Sequence, residues 1–377
     1  MDPPDASIVV HFSALDDPRR AAGRRHNLMD IMVIAICATI CGADNWVAIE
    51  GFGQAKEEWL RTFLTLPHGI PSHDTFRRVF AILDKEQFQE CFMAWIQAII
   101  EVLPGQVIAI DGKTACASHD GRDVSQATHT VTAWGTANGV ALGQVTVSNK
   151  SNEITAIPDL LYLLELSGCL VTIDAMGCQK EIATQIVAQG GDYLLATKKN
   201  HPHLHEDIAH LFDNGLGTNF KSLDHGYACQ ESQGHGRLER RQCWTLNDQG
   251  WLTYLRNRDV WPSMQTIAMV RSERTVGEET TICDRYYISC LGQQADRILV
   301  ASRAHWQIEN QLHWCLDVAF DEDRSRTRWG NGQANLVVLR QMALMLLRKE
   351  KSLKVGIKTK RLRAGWDNEY LLKVLRG

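Results

Sequence analysis

Two short apolar runs each stop on an aspartate, and this pattern constrains the fold more than anything else in the chain. Residues 107–110 read Val-Ile-Ala-Ile and end at Asp111-Gly112; residues 169–173 read Cys-Leu-Val-Thr-Ile and end at Asp174. Apolar runs this short, bounded by turn residues, are strands buried in a sheet. Residues 128–134 and 139–147 are also β-rich and are joined by Asn138-Gly139, a hairpin signal. Helices fit 156–166 and 179–189, and one more strand fits 193–196. The predicted order is β-β-β-α-β-α-β, an α/β unit with a mixed sheet and helices packed on it. Residues 1–104 look helical and form a separate N-terminal unit, in which Ser72 and Asp74 can cap a helix carrying Phe76, Val79 and Phe80. The α/β unit begins in 105–200. The helical period fades over 201–294, which reads as a β-rich insertion, and returns over 295–350. Residues 351–377 form a basic C-terminal segment.

Strand ends in an open α/β sheet are where ligands bind, because the backbone turns outward there. Carboxylates ending two neighbouring buried strands would repel by about 4 kcal/mol at ~4 Å and an effective dielectric of ~20. A divalent cation resolves that repulsion, and Mg²⁺ takes one or two carboxylates together with substrate phosphate. The alternative is that each aspartate only caps a turn. A third acid, Glu309, lies on a helix between Ile308 and Asn310 with Trp306 and Trp314 nearby. An acid among bulky apolar residues is unusual unless its helix packs on the core and presents it to a site. His305, Glu309 and His313 recur every four residues, on one helical face. They lack the H-E-x-x-H spacing of a zinc site.

The net charge is −4, with 40 basic and 44 acidic residues, so a nucleic-acid partner has to be argued from local patches. One is 348–363, where Arg348, Lys349, Lys351, Lys354, Lys358, Lys360, Arg361 and Arg363 face a single acid, Glu350. Arg324, Arg326 and Arg328 alternate just before it. Arg19, Arg20, Arg24 and Arg25 cluster near the start. Each patch reads as a phosphate footprint or as a solvated face. Lys113, beside Asp111, could touch a phosphate, and Asn152 and Glu153 open a helix near the site. Residues 46–83 fit a helix-turn-helix with Arg77 and Arg78 outward, or a plain helical bundle. The 11 cysteines include no C-x-x-C pair, as in a reduced protein. The N-terminus has no signal pattern, and the most apolar stretch, 31–41, is about half the length of a membrane span. The expectation is a cytoplasmic protein, nucleoid-associated when on DNA, with no membrane partner.

Nine motifs, in order along nearly the whole chain, carry a resemblance. They are GIPSHDTFRRVF (69–80), VIAIDGKT (107–114), KSNEITAIPDLL (150–161), TIDAMGCQKEIA (172–183), GGDYLLATKKN (190–200), GHGRLERR (234–241), RYYIS (285–289), HWQIENQLHWCLDV (305–318) and RAGWDNEYLLKVL (363–375). The chain resembles the H-repeat-associated insertion-sequence transposases, a DDE branch related to the IS-four type. The resemblance implies an RNase H-like catalytic fold in which Asp111, Asp174 and Glu309 are the catalytic, metal-binding acids. It implies two Mg²⁺ ions (Mn²⁺ may substitute), double-stranded DNA as transposon end and target, and a homodimer on DNA. The implied reaction is strand cleavage followed by 3'-OH strand transfer. The other readings are a DNA-binding regulator without catalysis and a metal-dependent nuclease that cuts without joining. His305 and His313 stand where a basic supporting role is expected. Ala115, Cys116 and Lys199 depart from the branch's usual residues, and Lys199 replaces a glycine whose backbone would favour positive φ.

Overall fold

The computed structural model describes residues 6–100, 103, 105–115, 127–147, 152–221, 223–234 and 236–376. The chain opens with helices α1 (Ala6–Phe12), α2 (Leu28–Ile40), α3 (Trp46–Ala55), α4 (Glu57–Leu60), α5 (His73–Ile82) and α6 (Lys85–Ile99). Helix α2 is buried on every side from Asp30 to Ile40, as a helix apolar all round must be. Helices α5 and α6 start on side-chain caps: Thr75 N donates to Ser72 Oγ at 3.4 Å, and Gln87 N to Asp84 Oδ1 at 2.8 Å. The helix-turn-helix reading of 46–83 is corrected. Residues 56–72, including α4, separate α3 from α5, where that motif has a turn of about 3–4 residues.

The α/β unit follows the predicted order: β1 (Val107–Thr114), β2 (His129–Gly135), β3 (Val140–Val147), α7 (Glu153–Tyr162), β4 (Leu170–Ile173), α8 (Lys180–Ala188) and β5 (Asp192–Thr197). After α9 (Pro202–Gly217) come β6 (Gly226–Gly234), β7 (Arg237–Leu246), α10 (Gln249–Leu252), β8 (Thr266–Val276) and β9 (Glu279–Ser289). All these strands belong to one nine-stranded sheet in the order β3-β2-β1-β4-β5-β9-β8-β7-β6. Strands β1, β4 and β5 run parallel, and every other pairing is antiparallel. The β-rich segment therefore continues the α/β sheet: β9 pairs with β5 from Leu194↔Ser289 to Thr197↔Tyr286 and satisfies what would otherwise be an open edge.

The chain then runs through α11 (Ala295–His305), a π-helical turn (Ile308–His313), α12 (Trp314–Phe320), α13 (Gly332–Lys349), α14 (Ile357–Trp366) and α15 (Asn368–Arg376). Alternate residues of β5 split the core between the two sheet faces. Leu195 packs with Ile157 of α7 and Ile182 of α8, while Leu194 packs under α11 with Ile298, Leu299 and Ala301. The α11 side includes Ala228, Cys243 and Ala268, small residues that let the helix lie close across the sheet and touch β1, β4, β5, β6, β7 and β8. Helix α13 is buried along nearly its whole length, between the N-terminal helices and the α/β unit. The described cysteines are all free, and no described helix is long and apolar enough to cross a membrane.

Candidate active site

Asp111 does not end its strand, as the sequence suggested. Strand β1 runs on to Thr114, pairing with β2 through Asp111↔Thr132 and beyond, while its parallel pairing with β4 stops at Ile110↔Ile173. The sheet opens between β1 and β4 at that point. Asp174 follows β4 directly and sits in a tight turn, where its Oδ1 accepts from Met176 N at 2.9 Å and Gly177 N at 3.3 Å. Glu309 stands on the π-helical turn that interrupts the expected continuous helix over 295–318. There Asn310 Nδ2 donates to Trp306 O at 2.9 Å, a side-chain bond that competes with regular helical pairing. Such turns recur at functional sites. The three acids line one cavity of about 160 Å³ together with Thr172, Lys198, Arg285, Tyr287, His305 and Trp306.

The charges in this cavity are poorly balanced. Burial lifts Asp111, the carboxylates of Asp174, Glu153 and Glu309 lift it further against the Gly112 N–H, and its carboxyl is pushed up to about 7. Donors made only of carboxylate oxygen fit a hard divalent cation. Among the described residues, however, no three acids, histidines or cysteines converge tightly enough to enclose an ion by themselves. Glu153 is the fourth acid. Asn152 is exposed at the start of α7. It caps α7, Thr155 N donating to Asn152 Oδ1 at 3.2 Å, and so sets Glu153 against β1. His129 links the two: Nε2 lies 2.8 Å from Glu153 Oε1, and Nδ1 lies 2.7 Å from Thr114 Oγ1. A Cβ at position 112 would overlap Glu153 Oε1 and lie 2.7 Å from His129 Nε2, so a larger residue after Asp111 would push both side chains away.

Neither supporting histidine supplies positive charge at neutral pH. Burial, with the nearby charges of Lys113 and His129, pushes His313 down to about 4, and its Nδ1 lies 3.6 Å from Asp111 Oδ2. Burial also lowers His305 despite the pull of Asp174; its Nδ1 meets Thr172 Oγ1 at 3.1 Å. His305 lines the acids' cavity, and His313 stands against Asp111 from outside it.

Several predicted phosphate contacts need correction. Lys113 Nζ lies 2.6 Å from Asp317, 3.5 Å from Asp323 and 3.9 Å from Glu322, so its charge is already matched inside the protein. Lys360 is buried and donates to Leu347 O at 2.8 Å and to Glu350 O. Arg361 is 3% exposed; it donates to Thr39 O at 2.8 Å, to Asp44 Oδ1 at 2.6 Å and to Ala319 O, and it lies over Phe320. Such buried cations are fastenings and cannot meet a phosphate. Lys354, Lys358 and Arg363 are exposed, the last paired with Asp367 at 2.9 Å. Arg324, Arg326 and Arg328 are exposed as well. Lys199 is not among the residues with positive φ, so replacing glycine there strains nothing; Cys116 lies outside the described residues.

The sequence reading missed the cations nearest the acids. Lys198 and Arg285 line their cavity, and Arg285 lies 5.0 Å over the Trp306 ring. A larger groove of about 890 Å³ adjoins it, sharing Arg285, Tyr287, Ser302 and Trp306. Arg237, Arg241, Arg274 and Arg303 line this groove with Glu239 and Glu273. A signal was present: in GHGRLERR and RYYIS, charged or aromatic residues at every second position share one strand face.

Residues 103–346 match the family described as "Transposase DDE domain", and residues 9–96 match the one described as "DDE_Tnp_1-associated". The chain belongs to the DDE transposase family. It is 40% identical over 372 residues to "Putative transposase YncI" of Escherichia coli O157:H7, covering 98% of this chain and 94% of that one. It is 36% identical to "H repeat-associated putative transposase YhhI" of Escherichia coli (strain K12), covering 98% of both. Among solved structures, it matches the piggyBac transposase synaptic complex with hairpin DNA at TM-score 0.45 and 10% identity, covering 98% of this chain and 78% of that one.

Proposed function

We propose that this chain cleaves DNA strands at the ends of an insertion sequence and joins the freed 3'-OH to target DNA, on an RNase H-like catalytic sheet. The observation that carries this reading is the shared cavity of Asp111, Asp174 and Glu309, with Asp111 pushed up to about 7 by burial and by its neighbouring acids. Mg²⁺ ions, or Mn²⁺ in their place, would be held by these three acids and would supply the neutralising charge, the activation of an attacking oxygen and the stabilisation of the leaving one. The chain's own residues do the rest. Lys198 and Arg285 hold phosphate oxygens at the cavity. The arginine-lined groove carries the duplex away over β7, β8 and β9. Neutral His305 and His313 exclude water behind the acids without competing for the anion. Glu153, backed by His129, adds negative charge beside Asp111. Cutting two ends and joining both to one target needs two such sites, so the working form on DNA is a homodimer.

A gel assay tests this: purified protein and Mg²⁺ are given a pre-cut 3'-end and a supercoiled target plasmid. Joined product is expected, and Asp111→Asn, Asp174→Asn and Glu309→Gln should each abolish cutting and joining while DNA binding persists. Activity retained at about a tenth of wild type, a rise of only ~1.4 kcal/mol in barrier, would show that the acid is not required. Cutting without joining would reassign the chain as a nuclease.

A further inference from the structure

The structure brings together two basic features that lie far apart in sequence. A cleft of about 520 Å³ opens between the N-terminal helices and the segment 321–329. One wall is α5, which presents Arg77. The other carries Arg324, at the end of a short 3-10 turn (Glu322–Arg324), and Arg326 and Arg328 in the irregular stretch after it, with Ser325 turned inward to donate to Gln333 Oε1 at 3.0 Å. Arg77 reaches across the cleft and lies 5.1 Å over the exposed ring of Trp329. The N-terminus of α3, at Asn45 and Trp46, also opens onto the cleft.

The walls are fastened to each other. Asn331 N donates to Ala81 O at 2.9 Å, Asn331 Nδ2 to Leu83 O at 2.8 Å, and Asn335 Nδ2 to Phe80 O at 2.8 Å. Gly330, at φ +54°, lies so close that a Cβ would overlap Ala81 O. Four arginines face two lining carboxylates, Asp44 and Asp321, and Asp44 is already held by Arg361 at 2.6 Å. Two of these arginines make pairs that are loose or exposed: Arg324 is 3.6 Å from Asp321 with its side chain 84% exposed, and Arg77 is 3.0 Å from Asp74 at the surface. Exposed pairs of this kind add little to stability and yield readily to a phosphate.

We infer that this cleft is a second DNA-backbone site, built jointly by the N-terminal helices and the 321–329 segment. Its ligand is the phosphodiester backbone of a duplex. A planar guanidinium stacked on an aromatic ring is pre-organised for phosphate and reads no base. The same segment reaches the acid site: Asp323 and Glu322 hold Lys113, two residues from Asp111. DNA in the cleft is thereby registered against the scissile position. The inference rests on the transposase reading and deepens it by giving the N-terminal helices a contact with DNA.

The test uses the full-length protein in EDTA, where no cutting occurs, and a fluorescein-labelled mixed-sequence duplex followed by anisotropy. The triple variant Arg77→Ala, Arg324→Ala, Arg326→Ala should weaken binding at least tenfold at moderate salt. It should also flatten the slope of log K against log[salt] by about 2 to 3 units, close to one per lost phosphate contact. The corresponding Arg→Lys variant should restore most of the slope. Arg324→Ala alone, at an exposed position that folding does not need, should flatten it by about 1 unit. An unchanged slope in both Ala variants overturns the cleft while leaving the catalytic reading in place. A wild type that binds no duplex overturns both. A change confined to self-association, with DNA binding intact, would assign the cleft to an acidic surface of a second copy and also overturn the proposal.

Discussion

At the scale of single residues, the acid that matters most to the proposed chemistry is a burden on the fold. A carboxyl raised from its ordinary 3.8 to about 7 costs the folded state nothing at pH values below the unfolded value. The cost appears above pH ~4 and grows until the group is fully ionised above about 7, because the folded state holds its proton more tightly. Asp111→Asn removes that cost. In EDTA at pH 8 the variant should melt roughly 1 to 2 °C higher than wild type for each kcal/mol relieved, and the difference should vanish near pH 4. Magnesium should raise the melting temperature of wild type and leave the variant unmoved, since only a ligand bound to the native state stabilises it. A melting difference that persists unchanged at pH 4 would show that Asp111 is not the source. The three acids were legible in the sequence because each interrupts an apolar pattern. Glu153 was legible only as a helix start near the site; His129, Lys198 and Arg285 were not legible, because their neighbours in space come from other strands and helices.

Single elements show why a basic run in sequence need not be a basic surface. Residues 348–363 span the end of α13, a bend and the start of α14, and three of their eight cations, Arg348, Lys360 and Arg361, turn inward. Arg361 donates to carbonyls at the ends of α2 and α12, Thr39 O and Ala319 O, and so fastens α14 to both. Arg361→Met should therefore cost about 3 to 5 kcal/mol of stability, because it removes the buried cation that Asp44 and both carbonyls share. Chemical denaturation checks the cost. DNA affinity, measured well below the melting temperature, should not change; a loss of affinity without a loss of stability would return Arg361 to the DNA surface. Elements with a buried face were the readable ones: β1, β4, β5 and α2 announce themselves by apolar content. Strand β6, Gly-Tyr-Ala-Cys-Gln-Glu-Ser-Gln-Gly, was missed because most of it faces solvent and only its pairing with β7 makes it a strand. The π-helical turn at Glu309 was equally invisible, since an inserted residue leaves the apolar spacing on both sides intact.

On the scale of the whole molecule, a chain with a net charge of −4 must concentrate its positive charge to hold DNA, and the fold does so by sorting cations between interior and surface. Lys113, Lys360 and Arg361 are consumed by internal pairs, whereas Lys351, Lys354 and Lys358 remain exposed on the segment around the start of α14. The sequence could not make this distinction, because burial is decided by the packing of α14 on α2 and α12, not by local composition. If the exposed three each meet a phosphate, replacing all of them with Ala should flatten the salt slope of duplex binding by about 3 units. Preference among duplex sequences should stay the same, because backbone contacts position a protein without reading bases. Lys360→Met, by contrast, should lower thermal stability and leave the slope where it is. Salt titrations of both variants against one labelled duplex decide the matter. A slope unmoved by the triple replacement would make the exposed lysines a solvated face and leave DNA binding to the arginines of the groove and the cleft.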